Sequence, residues 1–161
     1  YTGLLLQYRG VALADVYRAR TELEVAAVGL IAANPDGRVD TLAELVECGD
    51  ELTEDPGAFA RHDTEVHRMV MELGGNETMA VLAGMLLDIM DAHNALYIST
   101  RSDTSDRPGA AIALRSHRKL IDLLRTGGEP GAAEAFWRKH LDSVERVMAG
   151  DSATTLVEVL S

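Results

Sequence analysis

Asp63 and His67 stand four residues apart in FARHDTEVHRMVM (59–71), a segment that otherwise reads as the apolar side of a helix. At about 100° per residue, Phe59, Val66, Val70 and Leu73 draw one stripe down that helix, and Asp63 and His67 fall inside it. An unpaired buried carboxylate is costly, so the pair needs either hydrogen-bonding partners or a nearby cation. One turn apart, a carboxylate and an imidazole can share a metal ion. By itself the spacing is a weak signal, because D-x-x-x-H arises by chance and a lone inward histidine is ordinarily a satisfied core residue.

The signal gains weight by repetition. In AAIALRSHRKLIDLL, His117 lies in the middle of the stripe of Ala110, Leu114, Leu120, Ile121 and Leu124. In AAEAFWRKHLDSVERVM, His140 is central to the stripe of Ala133, Phe136, Trp137, Leu141, Val144 and Met148. Asp63, His67, His117 and His140 together offer one carboxylate oxygen and three imidazole nitrogens. That set suits a borderline divalent transition metal, Zn or Ni first and Mn or Fe next. The competing reading is three core histidines, each separately hydrogen-bonded.

Other polar residues are candidates for a ligand cavity beside such a centre. Arg20 falls on the stripe of Val16, Leu23, Ala27 and Leu30, with Glu24 one turn further on. The pair is either a surface i,i+4 contact worth a few tenths of a kcal/mol, or a guanidinium aimed into a cavity where its fork would clamp a carboxylate. His93 and Tyr97 share the segment 77–100 and are cavity-lining candidates, and His93 could also replace one of the four metal ligands. His62 is turned a quarter-circle from Asp63, towards solvent or a helix interface, and is not read as a ligand. The six methionines are core filler or the walls of an adaptable pocket.

The elements that must position these residues are helices. Periodicity and punctuation predict helices over 13–34, 41–52, 56–73, 77–100, 108–126 and from Glu129-Pro130 to near Gly150. Asp40, Asp55 and Asn76 are the expected caps, and Gly74-Gly75 and Gly127-Gly128 the breaks. DSATTLVEVL is read as a short additional helix, and LLLQYRG as a linker helix or the tail of another domain. Nothing alternates like a strand for long. The expected fold is all-α, an antiparallel bundle of about six to seven helices, forming one domain over 1–161 with 1–12 as linker or start.

Bulk properties agree. With 47% apolar residues the 161-residue chain can bury one sizeable core. Its 26 acidic and 15 basic residues leave a formal charge of −11, which repels phosphate backbones. The apolar run VAAVGLIAA (25–33) is about half of the roughly 20 residues a membrane span needs. Cys48 is the single cysteine and can form no internal disulfide. A soluble, cytoplasmic domain is expected, and since the first residue is Tyr1 rather than Met, one piece of a longer protein is an expectation too.

DVYRARTELE (15–24), FARHDTEVHRMVMELGGN (59–76), SHRKLIDLLRTGG (116–128) and AAEAFWRKH (132–140) resemble successive signatures of the FCD domain, the C-terminal effector-binding domain of FadR-type GntR transcription regulators. The resemblance spans nearly the whole chain. It implies that Asp63, His67, His117 and His140 hold a metal inside a helical bundle, that Arg20 meets the acid group of a small organic effector, and that Asn76 starts the next helix. It also implies a homodimer, and contact with DNA only through a winged helix-turn-helix domain before Tyr1. No apolar face in the sequence identifies the dimer interface. Two departures stand out: Val66 replaces a customary phenylalanine, and Ser116 replaces an acidic residue that would have steadied His117. The reading is a metal-dependent sensor of small carboxylates, not an enzyme. Its alternatives are a metal-dependent hydrolase or lyase with Glu24, Asp88 or Asp91 as base, and a metal-free acyl-CoA sensor.

Overall fold

The computed structural model describes residues 2–100, 107–148 and 156–157, with side chains at all of these except 93, 94, 96–100, 107, 108, 147 and 148. Seven α-helices are present among them: α1 (Thr2–Tyr8), α2 (Leu13–Ala33), α3 (Arg38–Cys48), α4 (Pro56–Leu73), α5 (Glu77–Thr100), α6 (Arg107–Thr126) and α7 (Ala132–Met148). A 3-10 turn, Gly49–Leu52, continues α3. The expected all-α bundle is what forms. No helix among the described residues is long and apolar enough to cross a membrane.

Local chemistry sets most helix ends. Asp55 Oδ1 accepts from Ala58 N at 2.9 Å, and Pro56 occupies the first turn of α4, where its missing N–H costs nothing. Asn76 Oδ1 accepts from Met79 N at 3.1 Å and caps α5 as expected. Between them Gly75 turns the chain at φ +73°, a conformation that strains any residue with a Cβ, so α4 and α5 fold into a hairpin.

Two expected helix starts and one expected helix are corrected. The helix predicted from 41 begins at Arg38, because Asp36 Oδ1 accepts from Arg38 N at 3.0 Å and organises the turn three residues earlier. Asp40 is therefore inside α3 and caps nothing; its carboxylate takes Arg125 Nη2 of α6 at 2.6 Å. The helix predicted from Glu129-Pro130 starts at Ala132, after Gly131 adopts φ +80°. The short helix predicted over DSATTLVEVL is not formed at 156–157: Leu156 bridges Ala12 in extended conformation and Val157 N donates to Val11 O at 3.0 Å. The rest of that segment lies outside the described residues.

α2 is the axis of the assembly, packed against α4, α5 and α7, while α3 covers α4 and α6. The main core joins Ala27, Val28 and Ile31 of α2 to Val66, Val70 and Met71 of α4, Leu114, Leu120, Ile121 and Leu124 of α6, and Trp137 and Leu141 of α7. A second apolar cluster, Leu13, Val16, Tyr17, Ile89, Met90 and Val157, closes the other end of α2. Leu30, placed on the inward stripe by its phase, is 46% exposed. The predicted stripes of α4, α6 and α7 otherwise face the core and carry the histidines with them, the side chain of Met148 lying outside the described residues.

Candidate metal centre

His67 and His117 are each 1% exposed and His140 is 8% exposed, and their donor nitrogens lie within 4.8 Å of one another. Three helices thus deliver one imidazole each to a single point. The rings of His67 and His140 stack at 6.0 Å, and His117 stands edge-on to both at 5.4 and 5.5 Å. Asp63, half-buried, reaches the same place from α4: Oδ2 is 3.6 Å from His67 Nε2 and Oδ1 is 3.4 Å from His117 Nε2.

These atoms face one another without bonding. Nε2 of His67, His117 and His140 and Oδ1 of Asp63 are buried with no hydrogen-bond partner among the described residues. Leaving a buried polar atom unpaired costs about 1–3 kcal/mol, so four around one point amount to a large debt for a core to carry. A cation would settle it. Donors that each sit about 2.1 Å from one ion are separated from one another by roughly 3–3.5 Å, a range that holds the 3.4 Å between Asp63 Oδ1 and His117 Nε2. The donor set, one hard oxygen and three imidazoles, fits a divalent transition metal.

Electrostatics prepare the nitrogens to act as ligands. Burial, reinforced by the neighbouring His67, pushes His117 well below the ordinary imidazole range. Burial likewise lowers His140, to about 3, with His67 and His117 adding to the effect. Both rings are neutral at pH 7 and keep a lone pair to donate. Ser116 does not steady His117: its hydroxyl donates to Ile112 O at 3.0 Å, and His117 Nδ1 has no partner.

His67 is held differently. Its Nδ1 lies 2.7 Å from Glu24 Oε2 of α2, and Glu24 is completely buried. Burial works to raise the Glu24 pKa, but Arg20 and His67 outweigh it and bring the carboxyl down to about 2. Arg20 Nε donates to the other oxygen, Oε1, and Trp137 Nε1 donates to Oε2 at 3.0 Å. The Arg20–Glu24 pair predicted as either a surface contact or a cavity feature is a buried one, with Arg20 3% exposed and its Nη1 also 3.8 Å from Met90 Sδ.

Two residues escaped the sequence reading. Trp137, fully buried, packs its ring 5.2, 5.7 and 4.7 Å from His67, His117 and His140, although its position suggested only core filler. Tyr17 is 2% exposed, and its hydroxyl has no partner among the described residues. Its signal was helical phase, since 17, 20 and 24 share one face of α2. Of the two placements open to His62, solvent or a helix interface, it takes the interface, buried where Gly49 leaves room: a Cβ on Gly49 would stand 2.7 Å from His62 Nε2. The side chains of His93 and Tyr97 lie outside the described residues.

A family model, that of the FCD domain, matches residues 15–143. The chain belongs to the FCD domain family. Among curated proteins it is similar to the HTH-type transcriptional repressor NanR of Citrobacter rodentium (strain ICC168), 28% identical over 112 residues that cover 68% of this chain and 40% of that protein. The repressors of the same name in Escherichia coli (strain K12) and Shigella flexneri are 26% identical over 120 residues, 74% of this chain and 44% of theirs. The matched span is thus less than half the length of these relatives. No solved structure matches the chain.

Proposed function

We propose that this FCD domain senses a small organic carboxylate at a divalent metal centre held by Asp63, His67, His117 and His140, and thereby controls DNA binding by a helix-turn-helix domain N-terminal to it. The observation that carries the reading is the convergence of three buried imidazoles whose Nε2 atoms have no partner among the described residues, with the unpartnered Asp63 Oδ1 3.4 Å from His117 Nε2. When bound, the metal supplies a Lewis-acidic centre to which an acid oxygen can bind. Arg20, on the neighbouring turn of α2 from Glu24, provides the guanidinium for the ligand's charge, and the unpartnered Tyr17 hydroxyl on the same face adds a hydrogen bond. The metal is Zn or Ni, with Mn and Fe next in order. The relatives support the regulatory role, because they are HTH-type transcriptional repressors.

Regulation requires that the ligand bind one arrangement of the assembly better than another. The assembly is a homodimer in this reading. Its support is the exposed apolar side chains on two helices in contact, Leu4, Leu5 and Tyr8 of α1 and Val81, Leu82 and Met85 of α5.

Calorimetric titration of small mono- and dicarboxylates into metal-loaded and metal-stripped protein tests the function. Binding that needs the metal is expected, and Arg20→Ala should weaken it while leaving metal content intact. Equal loss of metal and carboxylate in Arg20→Ala would make Arg20 structural; binding by stripped protein at undiminished strength would overturn the metal-dependent sensor.

A further inference from the structure

Glu24 touches both halves of the proposed site. Its Oε2 lies 2.7 Å from His67 Nδ1 and its Oε1 receives Arg20 Nε, while Trp137 Nε1 fixes the carboxylate plane from a third side at 3.0 Å. A carboxylate can only accept at these distances, so His67 must carry a proton on Nδ1 and, in its neutral form, leaves the lone pair of Nε2 to the side of Asp63 and His117. The opposite tautomer would set a lone pair against an anion and point an N–H at the converging donors. The hydrogen-bonded route from Arg20 to His67 runs through this shared acceptor, while its charge also acts directly on His117 and His140. Whatever draws the guanidinium away leaves more negative charge on the oxygen that His67 feels, and a more polarised imidazole is a stronger metal ligand.

We propose that Glu24 is a positioning residue that couples the acid-binding and metal-binding arms of the site. It fixes His67 for the metal, and a carboxylate that engages Arg20 releases Glu24 to polarise His67, so that metal and acid strengthen each other's binding. Linkage makes the effect reciprocal: the metal raises affinity for the acid by the same factor. This inference rests on the metal reading of the preceding section.

The test uses Zn2+ alone as probe, with affinity measured by competition against a chromophoric chelator and folding followed by far-UV circular dichroism. Glu24→Gln should weaken Zn2+ binding about 10–100-fold with the helical signal retained. Arg20→Gln imitates guanidinium withdrawal and should tighten Zn2+ about fivefold or more, but by much less in the Glu24→Gln background. An equal effect of Arg20→Gln in both backgrounds would reduce it to direct charge repulsion and overturn the coupling. Zn2+ binding that Asp63→Ala abolishes but Glu24→Gln leaves unchanged would overturn the inference and spare the metal reading. Failure of the wild type to bind Zn2+ would remove both. Should Glu24→Gln fail to fold, the 15N shifts of the His67 ring in the metal-free wild type decide: protonated Nδ1 supports the role, and protonated Nε2 overturns it.

Discussion

Removing metal and lowering pH should destabilise this domain in a window set by its buried imidazoles. His140 is brought to about 3 by burial and its imidazole neighbours, and His117 is pushed well below its ordinary range for the same reasons. In the unfolded chain both titrate near 6.5. The unfolded state therefore binds more protons below that value, and stability that is complete above pH 6.5 is lost as pH falls towards the folded-state values. Each such histidine removes about 1.4 kcal/mol per pH unit, so His140 alone accounts for roughly 2 kcal/mol between pH 8 and pH 5. His117 acts in the same direction. Glu24, held at about 2, loses its contribution only below the ordinary glutamate range near 4.5 and does not intrude on the window. With a urea dependence of about 2 kcal/mol per molar, the unfolding midpoint should move down by roughly 1 M for His140 and further for His117. Urea titrations of EDTA-treated protein at pH 8, 6.5, 5.5 and 5 read this directly. His140→Gln should remove its share of the pH dependence. A midpoint that stays constant from pH 8 to 5 would refute the burial of neutral rings at the centre.

Other consequences follow from single contacts. Trp137 is the only tryptophan and abuts all three histidines, so Ni2+ should quench most of its emission at one equivalent per chain; unchanged emission during a titration that fills the protein would place the ion elsewhere. Asp55→Ala removes the cap of α4 and should lower stability by about 1 kcal/mol in a denaturant titration without altering metal content, while a loss of metal would mean that the helix carrying Asp63 and His67 had shifted.

What could be read in advance followed the physics of helix phase. His67, His117 and His140 were legible because each interrupts an apolar stripe, and a stripe buried in the fold must bury its interruptions too. Asp55 and Asn76 were legible as caps because a short acceptor before a helical run has one obvious use. Asp40 was not, since Asp36 lies near enough to organise the turn first and a long-range partner, Arg125, claims the Asp40 carboxylate. The bridge between Leu156 and Ala12 joins the two ends of the chain, and no local pattern announces it. Glu24 was visible as the neighbour of Arg20, but its bonds to His67 and Trp137 span 43 and 113 residues and depend on how α2 meets α4 and α7. Trp137 carried no polar signature at all. Its role near the site arises from packing.

The central claim is that one cation is shared by side chains from α4, α6 and α7. Elemental analysis combined with native mass spectrometry of the wild type, Asp63→Ala and His140→Ala measures it most directly. The account predicts about one transition metal per folded chain in the wild type and a marked loss in both variants with their helical signal preserved. Metal content unchanged in both would contradict it.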